Sequence, residues 1–118
     1  MAELRLFHFT CEHGHQALGN RGFLVPQIEH PYLHIKVSWL TTEETPDRTR
    51  TGLGMTFTRC DRMEYRYVVS GLAVELCRPW STSPERAGAQ ASAVWMLEEY
   101  GDPEHWWIAD EPVPARLG

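Results

Sequence analysis

The apolar segments of this sequence are short, and most of them follow one another without a helix between them. Four segments are rich in aromatic or β-branched residues, which favour strands. They are "LRLFHFT" at 4–10, "LHIKVSWL" at 33–40, "EYRYVVS" at 64–70 and "EHWWIAD" at 104–110. Because strands outnumber helices and are mostly not separated by them, the pattern predicts an α+β fold.

The clearest alternation lies in residues 33–40. Leu33, Ile35, Val37 and Trp39 share one face of the predicted strand. Weaker strand candidates are "MTFT" at 55–58 and "LAVELC" at 72–77. The polar segment 41–54 contains a proline and two glycines and is predicted to be a loop, and the sequence leaves open whether it closes over a ligand.

Two helices are expected. "EHGHQALGNRG" at 12–22 forms the first, and a glycine near its end can close it in the left-handed conformation. The second begins near Ser83, a good N-cap, with Pro84 at the first helical position, and continues to Gly101. Its predicted buried stripe is Ala87, Ala91, Val94, Trp95 and Leu97. The final segment, "EPVPARLG", reads as a proline-broken tail.

Length and charge limit the class of protein. The 118 residues suit a single domain spanning 1–118. The formal charge of −5 argues against a general nucleic-acid-binding surface. No apolar run is long enough to span a bilayer, the N-terminus does not resemble a signal peptide, and three cysteines fit a reducing compartment. We therefore expect a cytoplasmic protein without a membrane partner.

Polar, reactive side chains cluster where the first strand ends. His8 and Thr10 point the same way on a strand and can present a ring nitrogen and a hydroxyl to one ligand. The alternative for His8 alone is a core histidine bonded to a carbonyl. A zinc site formed by Cys11, His13 and His15 is a further alternative, although these three ligands would be crowded.

Two further clusters follow. In "SWLTTEE", Trp39 can stack on a flat ring and a threonine can bond to it. The alternative is a tryptophan at an interface followed by capping residues. In "RCDRMEYRY", the guanidinium groups of Arg59, Arg62 and Arg66 suit phosphates, and equally suit ion pairs with neighbouring acids.

The order of these clusters resembles the start of small ADP-ribosyltransferase-like domains. "LFHFTCEHG", "ALGNRGFLVP" and "VSWLTTEE" are similar to an aromatic-His-Phe-Thr strand, a helix leading to a proline, and a strand ending in Trp-Leu-Thr. "GLGMTFTRCDRMEYRYVV" and "EHWWIADEPVP" look like segments of small proteins of actinobacteria and their phages. The resemblance implies a small split, twisted, mostly antiparallel β-core with about two helices, which binds NAD in a cleft.

The resemblance also implies roles for individual residues. His8 matches the histidine that bonds the ribose next to nicotinamide, and Thr10 lies beside the carboxamide. The second-strand segment that flanks nicotinamide matches Trp39 and Thr41, so the rings of His8 and Trp39 are expected to line one recess. A stacking aromatic is expected from Tyr65 or Tyr67, and contact with the pyrophosphate from Arg62 or Arg21.

An active transferase also needs a carboxylate on a late strand, which stabilises the cation formed as nicotinamide leaves. Glu104, next to His105, is the best candidate by its order along the chain, and a solvent-facing glutamate is the alternative. The leading hypothesis is an NAD-dependent ADP-ribosyltransferase with NAD as substrate and a macromolecular acceptor. The rivals are a non-catalytic nucleotide or ADP-ribose-binding module, and a protein-interaction domain anchored by Trp80, Trp106 and Trp107.

Overall fold

The computed structural model describes residues 4–26, 29–30, 33–45, 64–99 and 101–118. Within these ranges the chain forms a mixed fold of few helices and a curled antiparallel half-barrel. The strands are β1 (Phe7–Thr10), β2 (Phe23–Leu24), β3 (Ser38–Thr41), β4 (Tyr65–Val69), β5 (Arg78–Pro79), β6 (Trp106–Ala109) and β7 (Val113–Leu117). The α-helices are α1 (Glu12–Arg21), α2 (Pro84–Gly88) and α3 (Ala91–Glu99). The predicted α+β class is confirmed at this level.

The sheet consists of two blocks joined at one point. Its strand order is β2-β7-β4-β1-β3-β6-β5. β1 pairs with β4 along its whole length, and β3 pairs with β6 along its whole length. Between β1 and β3, in contrast, only Phe7 and Thr41 are paired. The sheet therefore opens between β1 and β3 beyond Phe7.

Two hydrophobic clusters cover opposite faces of this sheet. Ile108 and Ala109 are neighbours in β6, so their side chains point to opposite faces, and each belongs to a different cluster. The α1 cluster consists of Leu6, Leu18, Leu24, Leu40, Tyr67, Val69, Ala73, Cys77, Ala109 and Val113. The α3 cluster consists of Leu33, Val37, Trp80, Val94, Trp106 and Ile108, with Trp39 packed against it.

The burial predicted for residues 33–40 is confirmed, but the strand is shorter than predicted. Leu33 and Val37 are buried in the α3 cluster, as the alternation predicts. The strand itself begins only at Ser38. Before it, His34 has a φ of 56° and its amide donates to the carbonyl of His30, so local turn bonds replace a sheet ladder there.

The strand predicted at 72–77 is wrong. Gly71–Leu76 is a 3₁₀ helix. Within it and its cap, Ala73 and Cys77 are buried, whereas Leu72 is 92% exposed. A spacing of four residues between buried positions suits a helical turn, and a strand would bury alternate residues instead.

The predicted start of the second long helix is confirmed. The amide of Arg86 donates to the Ser83 hydroxyl oxygen over 3.1 Å, which caps α2. The helix nevertheless ends at Gly88, and α3 starts at Ala91. The predicted stripe is only partly right. Val94 and Leu97 pack in the α3 cluster, whereas Ala87, Ala91 and Trp95 are exposed.

The predicted C-terminal tail is a strand inside the sheet. β7 lies between β2 and β4, and Val113 is fully buried. Pro114 lacks an amide proton, but its carbonyl accepts from Ser70, and the next amide, of Ala115, donates to Gly22. The strand therefore tolerates its proline.

Some predictions lie outside the described residues, namely the strand at 55–58 and residues 46–54 of the predicted loop. In the ranges that the structure covers, no helix has both the length and the apolar character required to cross a membrane.

Candidate functional site

His8 lies where the two blocks of the sheet separate. Its Nδ1 is 2.8 Å from the backbone carbonyl oxygen of Trp39. Since a carbonyl oxygen only accepts, Nδ1 carries a proton in this contact. His8 is half-buried. It thus makes the carbonyl contact expected of a structural histidine while lying at the opening of the sheet.

Four of the predicted binding residues share one face of the sheet. In the β1–β4 pair, His8 stands opposite Tyr67 and Thr10 stands opposite Tyr65. Residues directly opposite in an antiparallel pair project to the same side, as do residues two apart on one strand. The structure therefore brings these four side chains together on the face of the α1 cluster.

Helix α1 follows β1 after one residue and adds two side chains to this face. The hydroxyl of Tyr65 donates a short hydrogen bond to the carboxylate of Glu12. The imidazole of His15 lies parallel to the Tyr65 ring, with 3.9 Å between centroids and 2° between planes. His15 Nδ1 is also 2.6 Å from the Tyr67 hydroxyl. We call Thr10, Glu12, His15, Tyr65 and Tyr67 the tyrosine platform.

Both phenols of the platform are held in their protonated form. The hydrogen bond to the Glu12 carboxylate is the main reason that the pKa of Tyr65 is raised to about 12, with burial contributing. Burial raises the pKa of Tyr67, and the charge of Glu12 raises it further. Neutral hydroxyls beside aromatic faces are groups that bind flat, polar heterocycles.

Gly14 lies in close contact with the end of β1. A Cβ at this position would lie 1.9 Å from Thr10 Oγ1. Glycine therefore lets the first turn of α1 press against the end of β1. This contact fixes the position of the Thr10 side chain within the tyrosine platform.

Trp39 and Thr41 lie on the other face. Phe7 and Thr41 are paired, so their side chains project to the same side of the sheet, and that of His8, next to Phe7, projects to the other. Trp39 is two residues from Thr41 and therefore shares its side. The Trp39 ring packs near Trp80 at 5.0 Å between centroids. The prediction that the rings of His8 and Trp39 line one recess is therefore wrong. Thr41 is buried, and its hydroxyl oxygen accepts from the amide of Glu43.

Glu104 and His105 form a separate group at the start of β6. His105 Nδ1 is 2.9 Å from the Thr42 hydroxyl oxygen. Its Nε2 lies 3.6 Å from a carboxylate oxygen of Glu43 and 3.9 Å from one of Glu104. The Glu104 side chain is 66% exposed. Since β3 lies between β6 and β1, this group belongs to the block of the sheet that does not carry the tyrosine platform.

Contact with the pyrophosphate was expected from two arginines. Arg62 and the side chain of Arg21 lie outside the described residues. Arg66 is described, and its guanidinium donates to the carbonyl oxygens of Gly118 and Glu44. It also lies 3.7 Å from the carboxylate of Glu44, an acid outside the segment "RCDRMEYRY".

A zinc site formed by Cys11, His13 and His15 was the alternative for the residues that follow β1. Among the described side chains, no group of three histidine, cysteine or acidic residues is placed to hold a metal ion. The side chain of His13 lies outside that part of the chain. His15 contacts two tyrosines instead. Burial raises the pKa of Cys77 to about 11, which makes this thiol a poor nucleophile.

Two of the tryptophans proposed as partner anchors are core residues. Trp80 and Trp106 are buried in the α3 cluster, and Trp107 is half-buried. The anchoring role predicted for Trp80 and Trp106 is therefore wrong. The indole that the described surface exposes is that of Trp95, at 62%.

Sequence reasoning missed Glu12 as a site residue and considered His15 only as a metal ligand. The signal was their spacing. Residues three apart in a helix lie on one side of it, so Glu12 and His15 can contact the same partner. Comparison of the chain with protein families, curated proteins and solved structures finds no match.

Proposed function

We propose that this chain is an ADP-ribosyltransferase-like protein that binds NAD over the tyrosine platform and His8. The observation that carries the proposal is the shared face of His8, Thr10, Tyr65 and Tyr67. NAD contains flat rings and ribose hydroxyls, and the face offers the half-buried ring of Tyr65 and the half-buried imidazole of His8. The parallel stack of His15 on Tyr65 supports the idea that the Tyr65 ring accepts a flat partner.

The arrangement of the sheet also supports the proposal. A split β-core is what the resemblance to ADP-ribosyltransferase-like domains implies, and here β1 and β3 are paired only through Phe7 and Thr41. His8, the residue that the resemblance assigns to the ribose, lies beside that opening.

The proposed reaction breaks the bond between the ribose C1′ and the nicotinamide nitrogen. Nicotinamide leaves with the electron pair, and a nucleophilic oxygen or nitrogen of a macromolecular acceptor bonds to C1′ and loses its proton. Glu104 is proposed to stabilise the cation that develops at C1′, and His105 to take up the proton. The negative carboxylate and the imidazole suit these tasks by their chemistry.

A second candidate is a module that binds NAD or ADP-ribose without cleaving NAD. The observation in its favour is the position of Glu104, which is largely exposed and grouped with Thr42, Glu43 and His105 rather than with the tyrosine platform. Binding then needs only the platform and His8.

Calorimetry with NAD and with ADP-ribose tests the binding site shared by both candidates. Thr10→Val and Tyr65→Leu remove a hydroxyl and a ring from the proposed face, and each should weaken NAD binding by about tenfold. Lys36→Ala, at an exposed position before β3, is the matched control and should bind like the original chain. Absence of binding to both ligands at millimolar concentration would overturn both candidates.

Labelled NAD separates the two candidates. A transferase releases nicotinamide and labels an acceptor, and Glu104→Gln abolishes both. A binding module shows the calorimetric signal with no release of nicotinamide, whichever acceptor is supplied.

A further inference from the structure

A groove lies between α2 and α3, on the face of the sheet covered by the α3 cluster. It is a shallow, open depression with a volume of about 540 Å³. Small apolar side chains line much of it, namely Ala87, Ala89, Ala91 and Val94. It is independent of the tyrosine platform, which lies on the opposite face.

One wall of the groove is held rigidly. The carboxylate of Glu98 accepts two hydrogen bonds from the guanidinium of Arg86, at 2.8 and 2.9 Å, and one from Trp80 Nε1 at 2.9 Å. The fork of Arg86 lowers the pKa of Glu98, and Glu98 raises the pKa of Arg86. This pair neutralises Arg86 and ties α2 and α3 to the buried ring of Trp80.

The rim of the groove carries an indole and a carboxylate. Trp95 lines it and is 62% exposed. Glu99 also lines it, one helical turn further along α3. No ion pair joins Glu99 to another residue within the described ranges. With Arg86 neutralised by Glu98, the charge that the groove presents is negative.

We propose that this groove binds an arginine side chain in an extended segment of a partner protein. A guanidinium stacks favourably on an indole and donates two parallel hydrogen bonds to a carboxylate. Trp95 and Glu99 therefore suit its two properties at once. The methylene stem of arginine lies over the alanines. Met96, next to Trp95 and also 62% exposed, offers apolar contact to the flanking residues of the segment. The net charge of −5 favours the approach of a basic segment.

The test uses the full chain and three blocked pentapeptides that differ only at the central residue, which is arginine, citrulline or lysine. Citrulline keeps the shape of arginine and removes its charge. The indole N–H signals are followed by NMR, and Trp95→Ala identifies the signal of Trp95 among the five tryptophans. The arginine peptide should shift this signal, and citrulline should bind about tenfold more weakly. Lysine, a point charge without a planar fork, should bind about threefold more weakly.

Two variants locate the contact. Calorimetry measures the affinity in both, and Glu99→Gln and Trp95→Ala should each weaken binding of the arginine peptide by about fivefold. Glu111→Gln, at an exposed position outside the groove, should leave it unchanged. Equal affinity for arginine and citrulline, or an undiminished affinity in Trp95→Ala, would overturn the proposal. So would a concentration-dependent dimer that Trp95→Ala dissociates, because the occupant would then be a second copy of this chain.

Discussion

The imidazole of His8 and the main chain of Trp39 are joined by a 2.8 Å hydrogen bond, although the two rings lie on opposite faces of the sheet. The bond crosses the place where β1 and β3 part after a single pair, Phe7 with Thr41. The His8 side chain thus joins the two blocks of the sheet at the place where β1 and β3 are no longer paired.

The first prediction concerns this bond. His8→Ala leaves the Trp39 carbonyl without its imidazole donor, and we expect the free energy of unfolding to fall by about 1–3 kcal/mol. His8→Asn is the matched control, since its amide nitrogen can take the place of Nδ1 and should recover part of the loss. Urea denaturation of the three chains measures both values. Equal losses in the two variants would show that the bond to Trp39 contributes little.

The second prediction concerns the hydrogen bond between Tyr65 and Glu12. The pKa of Tyr65 is raised to about 12 from an ordinary 10.0, so the folded chain holds this proton more tightly than the unfolded chain does. The stabilisation is complete below pH 10.0 and is lost as pH rises towards about 12.

Glu12→Gln removes the charged acceptor and should bring the pKa of Tyr65 back towards 10.0. Ultraviolet absorbance of tyrosinate measures this change. Glu111→Gln, with its exposed carboxylate elsewhere, should not alter the titration. An unchanged titration in Glu12→Gln would contradict the assigned cause.

The third prediction concerns the contact between Gly14 and Thr10. In a helix interior, glycine to alanine usually stabilises by about 0.5–1 kcal/mol. At Gly14 the new methyl group meets Thr10 Oγ1 at 1.9 Å, so we expect Gly14→Ala to destabilise the chain by about 1–2 kcal/mol.

A double-mutant cycle tests this explanation. In a Thr10→Ala background the obstructing atom is gone, and the cost of Gly14→Ala should fall by about 1 kcal/mol or more. Thr10→Val keeps an atom at the same place and should preserve the cost. If the cost is the same in all three backgrounds, crowding at Thr10 is not its source.

Much of the burial could be predicted from the sequence because it depends on local periodicity. The alternation of Leu33, Ile35 and Val37 correctly gave a shared buried side, even though only 38–41 forms a strand. The Ser83 cap was equally local and was found by its residue type.

The features that sequence reasoning missed depend on distant parts of the chain. Val113 is fully buried because β7 enters the sheet between β2 and β4, and nothing within "EPVPARLG" indicates those partners. The sides taken by His8 and Trp39 likewise follow from the register of β1 with β3, and a shift of one residue would have reversed them. Thr10, Tyr65 and Tyr67 were predicted as binding residues, but their shared face was not, since β1 and β4 lie far apart in the sequence.

The last prediction concerns Glu98, which accepts hydrogen bonds from both Arg86 and Trp80. Its pKa is lowered from the ordinary 4.5, chiefly by the guanidinium of Arg86. A carboxyl group of this kind stabilises the fold fully above pH 4.5, and the stabilisation is lost as pH falls through its lowered value. Glu98→Gln keeps an acceptor for Trp80 and removes the charge, so it should cost about 1–2 kcal/mol at neutral pH.

The loss in Glu98→Gln should shrink on acidification, because the original chain then also loses the charge. Denaturation of both chains across the acid range measures the difference. Glu99→Gln, on the same helix and in no ion pair with a described residue, should change stability by less than about 0.5 kcal/mol at any pH. A difference in stability between Glu98→Gln and the original chain that stays constant from neutral to acid pH would mean that the lost charge is not the cause. The groove wall would then depend on the shape of the Glu98 side chain instead.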